Sequence, residues 1–226
     1  MYKTKLRYND RKEKAKYVYD KYKHLLDGKK ILDVGADHKH LSSCLPENSN
    51  YTGIGLGGSV DIEVNLEKEK IPFSDECFDT VICLDVLEHL ENIHAVFDDL
   101  CRISKTNLII SLPNPFGTLW ESILRGGYSD NASMKYYHLP VEAPSDRHKW
   151  FYSLSEAESF IRYRSDKNNM LIEHMEAENF KYARPFYKNM LLSLFRVIDS
   201  FGHKRLKEMR VYDGTLWCVL KKDTSK

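Results

Sequence analysis

The chain has 226 residues, 42% of them hydrophobic, which fits one folded domain with insertions and excludes a disordered protein. No apolar stretch is long enough to span a membrane, and the first residues lack the apolar core of a secretory signal. The five cysteines are widely spaced and form no Cys-x-x-Cys pair. We therefore expect a cytoplasmic protein with free thiols and no metal centre.

The net charge of +1 is unevenly distributed, because residues 1–30 carry +7 and the remainder carries −6. A basic segment can contact phosphates, acidic lipids or an anionic substrate, and it can equally form the solvated face of a helix. Apolar residues at helical spacing predict an amphipathic helix that ends near Gly28: Ala15, Val18, Tyr19, Tyr22, Leu25 and Leu26. We treat residues 1–28 as an N-terminal basic helical segment and 29–226 as the main domain.

The main domain alternates predicted strands and helices. Up to residue 112 the apolar patterns predict strands at 30–34, 51–56, 61–64, 78–84 and 108–112, and helices at 38–45 and 86–104. Further along, a capping box at Ser153–Glu156 opens a helix, and strands are predicted at 170–174 and 216–220. This alternation predicts an α/β fold, with a mainly parallel sheet covered by helices on both faces.

Two regions interrupt this alternation. Residues 114–152 form an irregular insertion, which is typical of a lid or a substrate-binding element, although Trp150 and Phe151 could instead anchor a structural loop to the core. A second, helical insertion is predicted at about 185–210. Its apolar stripe over 186–201 suits packing on the sheet or a homodimer interface, and Lys188 and Arg196 on its flanks leave a peripheral membrane contact open.

The turn after the first predicted strand of the sheet has the sequence Asp33-Val34-Gly35-Ala36-Asp37. Open parallel sheets bind ligands outside the carboxyl ends of their strands, at the point where the strand order reverses. Glycine permits close approach of the backbone, and a helix N-terminus favours a carboxylate ligand. The turn therefore suits a nucleotide-like ligand, although a conventional strand-to-helix turn would have similar residues.

Three further segments carry a family resemblance: IPFSDECFDTV at 71–81, LDVLEHL at 84–90 and RISKTNLIISLP at 102–113. In this order and spacing they resemble class I S-adenosylmethionine-dependent methyltransferases of the type 11-like group, which includes ubiquinone-biosynthesis enzymes. The resemblance covers about residues 29–113, and 216–221 resembles the closing strand of the family. It implies a Rossmann-like fold with a seven-stranded sheet, S-adenosylmethionine as cofactor and methyl transfer as the reaction.

The resemblance also implies site residues. Asn65 and Leu66 match the segment that packs on the adenine, and Leu84 and Asp85 match the strand end beside the methionine moiety. His89 matches a recurrent histidine, which either lies near the reaction centre or only packs and forms hydrogen bonds. The residues expected to contact the cofactor are Asp33, Gly35, Ala36, Asp37, Gly55, Leu56, Asn65, Leu66, Leu84 and Asp85.

The sequence departs from the family pattern at two places. Gly35 matches the first glycine of the family's cofactor turn, and Asp37 and Lys39 occupy the positions of the glycines that follow it. Asp37 could crowd the cofactor or accept a hydrogen bond from its ammonium group. Gly55 stands where the family has an acidic residue that binds the ribose hydroxyls. Without the hydrogen bonds from the ribose hydroxyls to that carboxylate, binding of the cofactor loses on the order of 1.5–3 kcal/mol, or roughly tenfold to hundredfold in affinity. Asp61, Glu63 or a backbone group could substitute for the missing carboxylate.

Candidate acceptor-binding residues lie in the segment Asp146-Arg147-His148-Lys149-Trp150. His148, or His138 upstream, could take a proton from an acceptor hydroxyl, with Asp146 orienting the imidazole. Arg147 and Lys149 could bind a phosphate or a carboxylate. Similar segments occur, by resemblance, in methyltransferases encoded with surface-polysaccharide enzymes, which suggests a glycan acceptor.

These observations support two hypotheses. The first is an S-adenosylmethionine-dependent methyltransferase acting on a small-molecule or glycan-type acceptor, with His148 or His89 as base and catalysis resting mainly on alignment of the reactants. The second is a catalytically degenerate binding protein that keeps the fold, motivated by Asp37, Lys39 and Gly55. Nucleic-acid methylation is not expected, because several N-terminal tyrosines that could stack on bases belong to the apolar helix stripe.

Overall fold

The computed structural model describes residues 2–5, 8, 10–119, 141–142, 147–179, 210 and 213–225. Several predictions fall outside these residues. They are the roles of His138 and Asp146, the apolar stripe over 186–201, and most of the predicted insertions at 114–152 and 185–210.

The described residues form one sheet with helices on both sides. The strands are β1 (Tyr2–Lys5), β2 (Lys30–Val34), β3 (Asn50–Gly55), β4 (Ile62–Glu63), β5 (Phe78–Leu84), β6 (Ser104–Leu112), β7 (Met170–Asn179) and β8 (Asp213–Lys222). Within the described ranges the helices are α1 (Arg11–Leu26), α2 (Ile93–Ile103) and α3 (Leu154–Lys167), with 3₁₀ turns at Ser42–Cys44 and Leu87–His89. Residues 115–119, at the start of the predicted irregular insertion, are also helical.

The strand order is β1-β7-β8-β6-β5-β2-β3-β4. Every described pairing is parallel except those of β8, which runs antiparallel to both β6 and β7. The order reverses at β2, which pairs with β3 on one side and β5 on the other. The predicted Rossmann-like fold with a mainly parallel seven-stranded sheet is confirmed, and β1 adds an eighth strand at one edge.

The apolar pattern explains how the two layers of helices are attached. Strands β5 and β6 are apolar on both faces, as expected for strands buried between helices. On one face, Phe97 and Leu100 of α2 and Ile161 of α3 join the larger core. On the other face, α1 buries Val18 and Leu26 in a second core that includes residues of the sheet. The capping box predicted at Ser153 and Glu156 begins α3.

The helix predicted at 38–45 is wrong, because only the 3₁₀ turn Ser42–Cys44 is helical there. Asp37 and Lys39 have φ angles of 49° and 53°. A right-handed helix cannot pass through these left-handed residues, so the chain forms a turn instead.

The helix predicted at 86–104 is shorter than expected. The chain first forms the 3₁₀ turn Leu87–His89 and begins α2 only at Ile93. Strand β1 was not predicted, because its sequence Tyr-Lys-Thr-Lys has no apolar run and is recognisable as a strand only by its pairing with β7.

Candidate functional site

A cleft of about 600 Å³ opens at the carboxyl ends of β2, β3 and β5, where the strand order reverses. Its volume is in the range of small-molecule sites. The residues predicted to contact a cofactor line it with one exception: Asp33, Gly35, Ala36, Asp37, Gly55, Leu56, Leu66, Leu84 and Asp85. The exception is Asn65, whose Oδ1 accepts a hydrogen bond from the Glu67 amide at 3.1 Å within a local turn.

Gly35 is required by the conformation of the first turn. Its φ of 81° is unfavourable for other residues, and a Cβ atom there would lie 2.2 Å from Cγ2 of Val86. The amides of Gly35 and Ala36 both donate to the carbonyl oxygen of Ile54, at 2.8 and 3.1 Å. These bonds hold the turn against the end of β3 and so fix the shape of the cleft at this point.

Asp33 provides a carboxylate on the wall of the cleft. The Tyr51 hydroxyl donates a hydrogen bond of 2.7 Å to its Oδ2. Burial raises the pKa of Asp33 to about 6, although the hydrogen bond from Tyr51 acts in the opposite direction. The carboxylate is therefore ionised at neutral pH and becomes protonated in mildly acidic solution.

Asp37 and Lys39 hold their left-handed conformations through ionic and backbone contacts. Asp37 forms an ion pair with Arg11, and its carbonyl oxygen accepts a hydrogen bond from the Ser59 amide at 2.8 Å. The Lys39 Nζ lies 2.7 Å from Oδ1 of Asp61. These contacts stabilise a loop in which the family pattern would place glycine.

Gly55 is buried but has room for a side chain facing the cleft. A Cβ atom there would lie 3.5 Å from Cγ1 of Val60 and 3.6 Å from Cα of Gly35, which are ordinary contact distances. Neither acidic residue considered as a substitute lines the cleft. Asp61 instead accepts a hydrogen bond from the Gly53 amide at 2.8 Å, and Glu63 is exposed.

Helix α1 contributes two cations to the cleft, Arg11 and Lys14, neither of which is among the predicted site residues. Lys14 forms an ion pair with Asp85, and the Ser111 hydroxyl donates to the same carboxylate at 2.5 Å. Burial by itself would raise the pKa of Asp85, but Lys14 and Ser111 outweigh it and hold the pKa below its ordinary value. Two features of the sequence could have indicated these cations. Residues 1–30 carry a charge of +7, and positions 11 and 14 lie on the same face of the predicted helix.

The two described histidines of the predicted catalytic set lie together on the wall of the cleft. The ring centroids of His89 and His148 are 4.4 Å apart, and Nε2 of His89 is 3.7 Å from Oε1 of Glu88. The Glu88 side chain has no exposed surface. We call these three residues the Glu-His-His cluster. Glu88 is not predicted from the sequence, because the family resemblance implies a role only for the histidine that follows it.

Backbone and side-chain contacts hold His148 in place. The Lys149 amide donates to the carbonyl oxygen of Glu88 at 2.8 Å, and the Lys149 ammonium group forms an ion pair with Glu67. The Trp150 Nε1 donates to the carbonyl oxygen of Leu90 at 2.7 Å. Trp150 thus anchors the segment to the core, and the paired Lys149 is less suited to binding an acceptor phosphate than its sequence position suggested.

Within the described ranges, no helix has the length and apolar character needed to cross a membrane.

Comparison with known proteins identifies the kind of domain that carries this cleft. Residues 8–162 match a protein family described as "Methyltransferase domain". No curated protein matches the chain in sequence.

Similar solved structures include methyltransferases from an archaeon and a cyanobacterium. A SAM-dependent methyltransferase from Archaeoglobus fulgidus has a TM-score of 0.55 at 15% identity, over 93% of this chain and 94% of its own. Magnesium protoporphyrin IX methyltransferase from Synechocystis PCC 6803, with bound SAH, has a TM-score of 0.53 at 15% identity, over 93% and 83%. A [4+2]-cyclase has a TM-score of 0.53 at 13% identity, over 93% and 81%. At these identities the likeness establishes the fold.

Proposed function

The chain belongs to the methyltransferase-domain family, and on that premise we propose that it binds S-adenosylmethionine in the cleft and methylates a small-molecule or glycan-type acceptor. The observation that carries the proposal is the position of the cleft. It lies at the reversal of strand order, and all the residues predicted to contact the cofactor except Asn65 line it together.

The charges around the cleft suit this cofactor. S-adenosylmethionine carries a sulfonium, an ammonium and a carboxylate, and when bound it supplies an electrophilic methyl group. Asp33 and Asp85 provide negative charge for the cationic groups, and Arg11 and Lys14 provide positive charge for the carboxylate. Leu56, with most of its side chain exposed on the cleft, offers an apolar surface for the adenine.

We assign the handling of the acceptor to the Glu-His-His cluster. His89 and His148 lie on the same cleft as the proposed cofactor site, so an acceptor bound against them would share that cleft with the methyl group. An oxygen acceptor must lose its proton as it becomes methylated, and imidazole is the common side-chain base for this purpose. The rest of the rate enhancement is assigned to alignment of the two reactants.

The proposal is tested by calorimetric titration with S-adenosylmethionine and S-adenosylhomocysteine. We expect saturable binding of both, and turnover with a suitable acceptor that is lost in His148→Ala while affinity for S-adenosylhomocysteine is retained. His38→Ala is a matched control, because His38 is exposed and does not line the cleft. Undetectable binding at millimolar ligand would exclude the cofactor site, and unchanged turnover in His148→Ala would exclude the assigned role.

A second candidate function, a binding protein without methyl transfer, is favoured by Gly55 and by the ion pairs from α1 to Asp37 and Asp85. The similar structure described as a [4+2]-cyclase is consistent with use of this fold outside methyl transfer. Tight cofactor binding without methylation of any acceptor in a broad glycan and small-molecule panel would favour this second function.

A further inference from the structure

The Glu-His-His cluster has the composition of a metal site. The carboxylate of Glu88 and the imidazoles of His89 and His148 each offer one ligand atom, and these atoms lie within 4.8 Å of one another. Two imidazoles and one carboxylate form a ligand set that suits divalent transition metals such as zinc, cobalt, manganese and iron. From this arrangement we propose that the cluster binds one divalent transition-metal ion in the cleft.

The backbone already brings the ligands together. Glu88 and His89 belong to the 3₁₀ turn after β5, whereas His148 comes from a distant segment. The hydrogen bond of 2.8 Å from the Lys149 amide to the Glu88 carbonyl joins the two segments next to the cluster. The Trp150 anchor reinforces this junction. A metal ion would therefore have to order only side chains.

The distances are compatible with metal binding after small rotations. Ligand atoms bonded to zinc at about 2.0–2.1 Å lie roughly 3.3 Å apart in a tetrahedral site. The separation of 3.7 Å between His89 and Glu88 is close to this value. His89 and His148 are partly exposed, so their rings can turn toward the buried Glu88 carboxylate.

The proposed site has the form of a catalytic rather than a structural centre. Three protein ligands leave at least one coordination position open, and all three residues line the cleft. This consequence rests on the proposed function: an ion there would bind the acceptor oxygen and lower the pKa of its hydroxyl, and the proton would leave to solvent. The histidines would then act as ligands instead of as a free base.

The experiment titrates chelator-treated full-length protein with Zn²⁺ by calorimetry and with Co²⁺ by visible absorption. We expect one equivalent to bind, with Co²⁺ ligand-field bands that indicate nitrogen ligation. Glu88→Gln, His89→Ala and His148→Ala should each weaken binding by more than about a hundredfold, since loss of even an outer-shell partner costs 10–100-fold. His38→Ala should bind like the wild type, because His38 lies outside the cluster.

Several outcomes overturn the proposal. One is an absence of ligand-field bands at saturating Co²⁺ in the wild-type protein, which does not depend on any variant remaining folded. Another is Zn²⁺ affinity that is unchanged in all three ligand variants while circular dichroism shows native helix content. S-adenosylhomocysteine binding without metal binding would overturn this inference and leave the proposed function standing. Metal binding without S-adenosylhomocysteine binding would do the reverse.

Discussion

Left-handed backbone conformations mark the edge of the cleft at three non-glycine residues, Asp37, Lys39 and Asp85. This conformation costs an ordinary residue roughly 1–2 kcal/mol, although aspartate tolerates it better than most. Each residue also has an ionic partner, which for Lys39 is Asp61. At Asp37 and Lys39 the chain therefore has side chains where the family resemblance implies glycines, and ion pairs stabilise these left-handed turns.

The position of Gly55 leads to the first prediction. Gly55→Asp should tighten binding of S-adenosylhomocysteine by roughly tenfold to hundredfold, because the new carboxylate can accept hydrogen bonds from the ribose hydroxyls. The structure has room for the side chain, since a Cβ atom makes only ordinary contacts there. Calorimetric titration of the two proteins under the same conditions measures the change.

Gly57→Asp is the matched control for this substitution. It adds the same charge two residues further along, where a Cβ atom would meet nothing within 4 Å, and Gly57 does not line the cleft. Its affinity should equal that of the wild type. An equal gain in both variants would mean that long-range charge acts instead of a ribose contact, and no gain at Gly55 would mean that another group already binds the ribose.

The raised pKa of Asp33 gives the second prediction. The folded-state pKa of about 6 lies above the ordinary value of 3.8, so the folded protein binds this proton more tightly than the unfolded chain does. The resulting stabilisation is complete below about pH 4 and is lost as the pH rises through about 6. Relative to Asp33→Asn, the wild-type free energy of unfolding should therefore fall by on the order of 3 kcal/mol between about pH 4 and pH 7.

Urea denaturation of both proteins at a series of pH values measures this difference. Both proteins contain the same other titrating groups, so the contributions of those groups to the pH dependence cancel in the difference. Asparagine can still accept the hydrogen bond from Tyr51. A constant difference between the two proteins across the range would show that the pKa of Asp33 is not raised.

At the scale of elements, apolar patterns predicted the buried strands well and the polar turns poorly. β5 has the predicted bounds, because its run Phe-Asp-Thr-Val-Ile-Cys-Leu is mostly buried and is followed by the polar Asp85. The helix predicted at 38–45, after β2, does not form, because Asp37 and Lys39 have left-handed conformations. Local sequence does not reveal a conformation that tertiary contacts stabilise.

In the candidate site, too, some features could be predicted from the sequence and others could not. Motif positions at strand ends were predicted to face the cofactor, and they line one cleft because parallel strands end at the same edge of the sheet. The contact of His89 with His148, and the part that Arg11 and Lys14 play, depend on how distant segments pack. No spacing within the sequence encodes those contacts.

The docking of α1 gives the third prediction. Lys14→Met should lower the free energy of unfolding by about 1–3 kcal/mol, because it leaves the Asp85 carboxylate with only part of its charge compensated. The Lys14 side chain is only 16% exposed, so solvent screens this ion pair less than a surface pair. Urea denaturation at neutral pH measures the change.

Lys16→Met is the matched control on the same helix. Lys16 and Asp20 form an i,i+4 pair with side chains 71% and 57% exposed, and such surface pairs contribute little. Its stability should remain close to that of the wild type. If both variants lost the same stability, helix propensity or net charge would explain the effect, and the contact between Lys14 and Asp85 would not.

At the scale of the whole molecule, the strand order separates the strands that end at the cleft from those at the far edge of the sheet. β2, β3 and β5 end at the cleft, whereas β7 pairs with β1 at the far edge. Helix α1 connects these two groups of strands, because it packs on the second core and also extends Arg11 and Lys14 into the cleft. A ligand in the cleft should therefore stabilise α1 together with the ends of these three strands.

Hydrogen exchange with and without S-adenosylhomocysteine tests this division and gives the fourth prediction. At ligand concentrations about 100 times the Kd, global stability should rise by about 2.7 kcal/mol. Amides that exchange by local opening should gain further protection at 34–37, at 55–58 and in the first turns of α1, because a bound ligand closes the solvent path to them. Amides in the middle of β7 should gain only the protection that follows from the rise in global stability. Extra protection centred on β7 instead of on the strand ends would place the ligand elsewhere and would contradict the proposed cofactor site.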